Sequence, residues 1–351
     1  MTTEAEARIR ARGPQEIVDL VPYLIGFHPT NSLVIVGLRN DPDALHSGLG
    51  PAAVEVAMRV DLEPATRDGD RIRLLNQLIA ALVRADIHLA VALVYTEDHE
   101  PDPLTCQWLS ELDDRLSSSL SQAEVWLLAL LVVDSTRWWS LSCSEQTCCP
   151  PAGTPYAGAC SVTAAEATMA GLVALDSREA LERTLDGEDP ARRARLEPFL
   201  ARAEDRVVQA RLDHRIIRLR RSDRAALLSE MQDRNLGRKS GPMSARRLAR
   251  FAVALSDIAL RDELWVGVDD RTYDLDDVLR ELLAQLPSPY DAAPLFLFGW
   301  SRWRSGVGTV AGMAAERALA SDPTYSAAEL LLAAVNSGLD PHTTPTLREP
   351  V

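Results

Sequence analysis

The chain has 351 residues, 37 of them Lys or Arg and 51 Asp or Glu, for a formal charge of −14. A polyanion repels nucleic acid and anionic lipid at long range, which excludes wholesale nucleic-acid binding as its task. An apolar fraction of 46% with 25% charged residues excludes a largely disordered chain, and at roughly 150 residues per domain the length suggests two domains.

The start, Met1-Thr2-Thr3-Glu4-Ala5-Glu6, is polar and acidic, with no apolar segment behind a basic one. No secretory signal is read there, and a cytoplasmic chain is expected. The longest apolar runs, Leu89 to Tyr95 and Val125 to Val133, fall far short of the roughly 20 residues that cross a bilayer. Five cysteines, an odd number in a reducing compartment, do not suggest a disulfide framework.

Taken in order, Pro14 to Leu24 reads as a helix, with Ile17, Leu20, Val21 and Leu24 on one side and Pro22 expected to kink it. Gly26 suits a helix end, and His28-Pro29-Thr30-Asn31 reads as a turn. Ser32 to Leu38 is a β-branched run fit for a buried strand. Val54 to Val60 alternates and reads as a half-buried neighbour, antiparallel to it. Helix and strand then alternate: Asp70 to Arg84, His88 to Tyr95, Leu104 to Leu120, Val125 to Val133, and a fifth strand over Trp138 to Ser142. Helices between strands imply crossovers, hence an α/β fold with a mostly parallel or mixed sheet flanked by helices over residues 14–160.

Beyond Cys160 the strand signal stops, and residues 161–341 read as an all-α half. Helices are expected over Thr163 to Leu175, Ser177 to Leu185, Pro190 to Arg220, Arg224 to Asn235, Ser244 to Val266, Leu275 to Leu286, Pro294 to Arg304, Val307 to Ala320 and Ser326 to Ser337. Residues 187–261 hold 18 basic groups against 10 acidic ones, a local +8. There Arg211, Arg215 and Arg218 form a stripe beside Val208, Leu212, Ile216 and Leu219, as on a solvated helix whose Arg stems cover the core edge. Gly306 to Pro323, with Ala311 and Ala318 at small packing positions and Asp322-Pro323 as a stop, reads as part of a tetratricopeptide-like helical hairpin. Phe298 to Trp303 would supply its first helix.

Two places can hold chemistry. In Trp138-Trp139-Ser140-Leu141-Ser142-Cys143 followed by Cys148-Cys149-Pro150-Pro151-Ala152-Gly153, three thiols lie within seven residues. Thiolate is a soft ligand, so Cys143, Cys148 and Cys149 are candidate zinc ligands. Zinc wants four donors, and a fourth would come from Cys106, Cys160 or His28. Redox or nucleophilic thiol chemistry, a bridge from Cys143 to Cys148 or Cys149, and plain packing of reduced cysteines remain open for the same loop. No other cofactor is called for. The second place is the turn before the first long strand, where His28 would act as a general base and Asn31 or Ser32 as a polarising group; alternatively these residues only satisfy the turn. The sequence contains no G-x-S-x-G, no H-E-x-x-H and no dinucleotide-binding G-x-G-x-x-G after a strand, so no enzymatic motif is recognised.

Three blocks together resemble a known family. They are Pro22-Tyr23-Leu24-Ile25-Gly26-Phe27-His28-Pro29 with Asn31-Ser32-Leu33-Val34, then Trp138 to Cys143 with Cys148-Cys149-Pro150 and Gly153, and finally Trp303 to Pro323. In this order, over residues 14–341, they are similar to the actinobacterial domain of unknown function 4192 family. The resemblance implies an intracellular protein and carries no activity, substrate or catalytic residue with it. The leading expectation is therefore a non-enzymatic protein-binding or regulatory protein that uses its helical half, with Trp300 and Trp303 as exposed anchors. One alternative is a small-molecule-binding or hydrolytic α/β domain with a site between the His28 turn and the Cys143–Cys149 loop. The other is a structural zinc protein.

Overall fold

The computed structural model describes residues 10–11, 13–39, 52–62, 68–96, 106–143, 145–156, 158–170, 172–185, 190–341 and 343–348. The chain forms two compact units: Met1–Ala180 with Ser337–Asp340, and Leu181–Asn336 with Pro341–Val351. None of the described helices is long and apolar enough to cross a membrane.

The first unit holds a seven-stranded sheet in the order β1-β3-β2-β4-β5-β6-β7. Its strands are β1 (Arg10–Ala11), β2 (Ser32–Arg39), β3 (Ala52–Asp61), β4 (Leu89–Tyr95), β5 (Trp126–Val133), β6 (Arg137–Ser140) and β7 (Thr154–Pro155). Its helices are α1 (Pro14–Ile25), α2 (Asp68–Arg84), α3 (Gln107–Gln122) and α4 (Val162–Met169), and α5 (Arg178–Thr184) follows across the division. Of the two sheet types expected, mostly parallel or mixed, the sheet is mixed. β4 and β5 pair in parallel, joined by α3, while β2 pairs antiparallel with both β3 and β4. β3 and β4 therefore point the same way, as the crossover through α2 requires, but β2 lies between them. The helix crossovers did produce co-directional strands; the intervening antiparallel strand is something that alternation in sequence cannot reveal.

Both sheet faces are covered, which explains why β2 and β4 are apolar almost throughout. On one face Leu33, Ile35, Ala92, Val94, Leu130 and Val132 pack against α2 and α3. Residues of the opposite parity, Ser32, Val34, Leu93, Tyr95 and Leu131, turn to the other face. α1 packs with α4 through Leu20, Tyr23, Ala164 and Ala167. α1 runs on through Pro22, with Pro14 in its first turn, and ends at Gly26, whose φ of 90° only glycine adopts freely. α4 is shorter than its apolar pattern suggests, because the chain beyond it is drawn into backbone pairing: His28 N–H donates to Leu175 O at 2.9 Å and Leu175 N–H to Gly26 O at 2.9 Å.

The second unit is helical: α6 (Pro190–Leu212), α7 (Ile216–Asn235), α8 (Ala245–Leu255), α9 (Ile258–Asp269), α10 (Asp276–Leu283), α11 (Ala292–Arg304), α12 (Gly308–Ser321) and α13 (Ser326–Asn336). Two segments expected as single helices are each broken. α6 stops before His214, whose φ is 55°, and α8 gives way to α9 at Asp257, whose carboxylate caps Ala259 N–H. Arg211, Arg215 and Arg218 thus lie on both sides of a helix break and form no continuous stripe.

Trp300 and Trp303, expected as exposed anchors, are instead buried, at 5% and 2% exposure. They belong to an internal aromatic cluster in which Trp300 packs 4.8 Å from both Trp265 and Trp303. Trp300 Nε1–H donates to the buried Asp269 carboxylate at 2.8 Å. An indole nitrogen that finds a buried acceptor makes Trp a core residue, so neither ring is free as an anchor.

Candidate functional site

The three-thiol loop is built by β6 and the segment from Leu141 to Gly153. Asp134 opens the turn into β6: its Oδ1 accepts from Thr136 N–H at 2.6 Å and Arg137 N–H at 2.7 Å. β6 then runs back along β5, and the loop that leaves it is pinned on both sides. Leu130 N–H donates to Ser142 Oγ at 3.0 Å, Trp139 Nε1–H to Pro151 O at 3.1 Å, and Arg137 Nη1–H to Ala152 O and Gly153 O, both at 2.9 Å. Gly153 has φ +76°, and a Cβ there would lie 2.6 Å from the Trp139 ring. Only glycine lets the loop close against that indole.

Inside the loop, Glu145 O accepts from Cys149 N–H at 2.8 Å and Cys148 N–H at 3.2 Å, folding the second half back over the first. Cys143 Sγ and Cys148 Sγ come to 3.5 Å, and all three sulfurs of Cys143, Cys148 and Cys149 lie within 4.8 Å of one another. Cys148 is exposed; Cys143 and Cys149 are half-buried. The backbone N–H of Glu145, then the Cys149 and Cys148 thiols, hydrogen-bond to Cys143 and hold its pKa below that of an ordinary thiol. Cys149 moves the opposite way, to about 12, through burial first and then by donating to its neighbours. Cys106 is buried in the core beside α2 and α3, and Cys160 is exposed in a 3-10 turn, so neither belongs to the group. Structural zinc takes four ligands, at about 2.3 Å for sulfur, whereas among the described residues the loop brings together three sulfurs.

The His28 turn lies elsewhere on the sheet. Ser32 pairs with Tyr95, Tyr95 with Val133, and Val133 with Trp138, so the turn sits at the edge where β6 begins and from which β6 runs away. β4 and β5 separate β2 from β6, a lateral gap of about 14 Å at ordinary strand spacing. Among the described residues no hydrogen bond or ion pair joins His28 to the thiols. His28 is half-buried, and desolvation lowers its pKa against the opposing pull of Asp176. Asn31 is exposed and adopts φ 41°, and its carbonyl accepts from Leu62 N–H at 2.8 Å, which is a turn-forming role. Ser32 is fully buried, and its Oγ has no hydrogen-bond partner among the described residues.

Around Ser32 the structure assembles polar groups that the residue patterns did not single out. Asp19 of α1 is 3% exposed; burial raises its carboxyl pKa, against hydrogen bonds from Ser161 and Gln15. Gln15 Nε2–H donates to Asp19 Oδ1 at 2.9 Å, and Gln15 Oε1 accepts from Trp138 Nε1–H at 2.7 Å. The hydroxyls of Tyr95 and Tyr156 are buried without a hydrogen-bond partner among the described residues, and burial raises both phenol pKa values, with Asp19 adding to each. The available signal was α1 itself, in which every residue from Ile17 to Tyr23 is buried, Asp19 among them.

A family model described as Domain of unknown function (DUF4192) matches residues 14–342. No curated protein and no solved structure matches the chain. The match takes in the His28 turn, the thiol loop and the α11–α12 hairpin alike, and the chain belongs to the DUF4192 family.

Proposed function

We propose that the first unit binds a thiophilic metal ion of the zinc class through Cys143, Cys148 and Cys149, as a regulatory rather than a catalytic site. The observation that carries this reading is the convergence of three sulfurs within 4.8 Å on a loop fixed from both ends. Three thiolates with an open position suit reversible loading better than a closed structural site, because an incoming ligand or water can complete the shell. The reading places the protein in the cytoplasm, where a reducing environment keeps the thiols free. Reduced protein titrated with Cd2+ should show thiolate-to-metal charge-transfer absorption saturating at one ion per chain. Cys143→Ser and Cys148→Ser should abolish it, and Cys106→Ser and Cys160→Ser should leave it intact. Equal binding by all four variants contradicts the reading.

A second reading concerns the helical unit, whose α11–α12 hairpin is tetratricopeptide-like in sequence, and it is favoured by one observation. A groove of about 190 Å³ between α6, α7, α8 and α9 is lined by apolar residues that include Val207, Ile216, Leu219 and Leu260, and by charges of both signs, Arg211 and Arg220 with Glu204, Asp223 and Asp257. Val208, Leu212 and Ile217 beside it are 52%, 68% and 61% exposed. An amphipathic helix of a partner protein, laid apolar face down, complements that apolar lining and its exposed neighbours. A labelled amphipathic helical peptide with one Leu face and mixed Glu and Lys on the other should bind the wild type, and Leu212→Asp with Ile217→Asp should remove the binding; no binding to the wild type contradicts this reading.

A further inference from the structure

We infer that Cys143 and Cys148 form a dithiol that hydroperoxides oxidise to a disulfide, and that this oxidation empties the ion site. The second clause rests on the metal-binding reading above; the first stands on the loop geometry alone.

The pairing is set by position. The Cys143 and Cys148 sulfurs already lie 3.5 Å apart, so an approach of about 1.5 Å by side-chain rotation reaches the length of a disulfide, about 2 Å. The fold of the loop holds them there: both Cys148 and Cys149 donate their N–H groups to Glu145 O, and Ser142 is tied to β5. Two pairs compete: Cys143 with Cys149, whose sulfurs lie within 4.8 Å and which the Cys149→Ser variant tests, and Cys148 with Cys149, which joins neighbouring residues. The Cα atoms of such neighbours are about 3.8 Å apart across a trans peptide, below the usual disulfide span of about 4.4–6.8 Å. Cys148 is exposed, so a small oxidant reaches it, whereas Cys106 is buried in the core.

The chemistry balances with a hydroperoxide as the named oxidant. One sulfur of the pair, as thiolate, attacks the terminal peroxide oxygen, forming an S–O bond as the O–O bond breaks. The departing alkoxide or hydroxide takes up a proton, leaving that cysteine as a sulfenic acid. The other sulfur then attacks the sulfenic sulfur; the S–S bond forms as the S–O bond breaks, and the expelled hydroxide leaves as water with the second thiol's proton. Two thiols and one hydroperoxide become one disulfide, one alcohol or water, and one further water. A disulfide removes two of the three thiolate donors, and the remaining Cys149 cannot hold the ion alone.

The test uses the full chain and hydrogen peroxide at one equivalent, with free thiols counted by alkylation and intact-mass measurement. Wild type should fall from five free thiols to three, remain monomeric on non-reducing gels, and recover with dithiothreitol. Cys149→Ser should still lose two thiols, while Cys143→Ser and Cys148→Ser should lose none to an internal bridge. Thiol loss in Cys143→Ser equal to that in wild type, or no loss in wild type, overturns the dithiol. Zinc-loaded wild type should release its ion as the thiols disappear, and retention of zinc by the oxidised chain overturns the coupling. A chain that forms the disulfide but takes up neither zinc nor Cd2+ when reduced overturns the metal-binding reading and leaves the dithiol standing; the reverse pattern does the opposite.

Discussion

Asp19 is a carboxyl group held inside an apolar helix, and its environment dictates how it should titrate. Burial raises its folded-state pKa, so the folded protein binds this proton more tightly than the unfolded chain does. The stabilisation from that proton is complete below the ordinary carboxyl range and is lost as pH rises through the raised folded value. Asp19→Asn keeps an acceptor for Gln15 and removes the charge. It should flatten the decline of thermal stability between about pH 4 and neutrality and raise the neutral-pH melting temperature. A melting profile over pH that is unchanged by the substitution contradicts the assignment. Tyr95 presents a simpler case, a buried hydroxyl with no hydrogen-bond partner among the described residues. Such a group costs about 1–3 kcal/mol, so Tyr95→Phe should hold or raise stability in urea unfolding; a loss above about 1 kcal/mol would show that the hydroxyl is bonded in solution.

At the scale of elements, the thiol loop owes its shape to β6 more than to its own cysteines. Trp139 and Arg137 hold the far side of the loop, and Gly153 is the one residue type that fits under the indole. Gly153→Ala adds a backbone cost of about 1–2 kcal/mol at positive φ and drives Cβ into the ring. Ion affinity should fall by about tenfold or more although no ligand is changed, in keeping with other supporting-residue substitutions at metal sites. Unaltered Cd2+ affinity in Gly153→Ala would separate the site from its scaffold. In the second unit the comparable anchor is Asp269, between α9 and α11. It accepts from Trp300 Nε1 and Arg304 Nε, and from Leu347 N–H of the C-terminal segment, while Arg304 also donates to the carbonyls of Pro341, Thr344 and Pro345. Removing one partner of a buried ion pair strands the other. Asp269→Ala should therefore cost about 3–5 kcal/mol in urea unfolding, and a loss below about 1 kcal/mol contradicts this role.

Across the whole molecule, the residue pattern carried the fold class further than the site. Periodicity in β2, β4 and β5 and in the C-terminal helices was readable because burial on one or two faces leaves a period of 2, an apolar run or a period of 3.6. Strand direction was not readable, since β2 enters antiparallel between two strands joined by a crossover, and nothing local in Ser32–Arg39 records its neighbours. Trp300 and Trp303 looked like contact residues because an aromatic cluster near charged residues has the same composition whether it faces a partner or Asp269. The proximity of Cys143, Cys148 and Cys149 was legible from their spacing, but their convergence depends on the Glu145 turn and on the clamp at Trp139. Asp19, Tyr95 and Tyr156 come from three distant segments, and only the fold brings their interactions together.

The central claim, that the three sulfurs act together as ligands, is tested most directly by X-ray absorption on reduced protein loaded with one equivalent of zinc. The account predicts a first shell dominated by three sulfur scatterers at about 2.3 Å, reduced in Cys148→Ser. A shell of nitrogen and oxygen scatterers alone, unchanged in that variant, would contradict it.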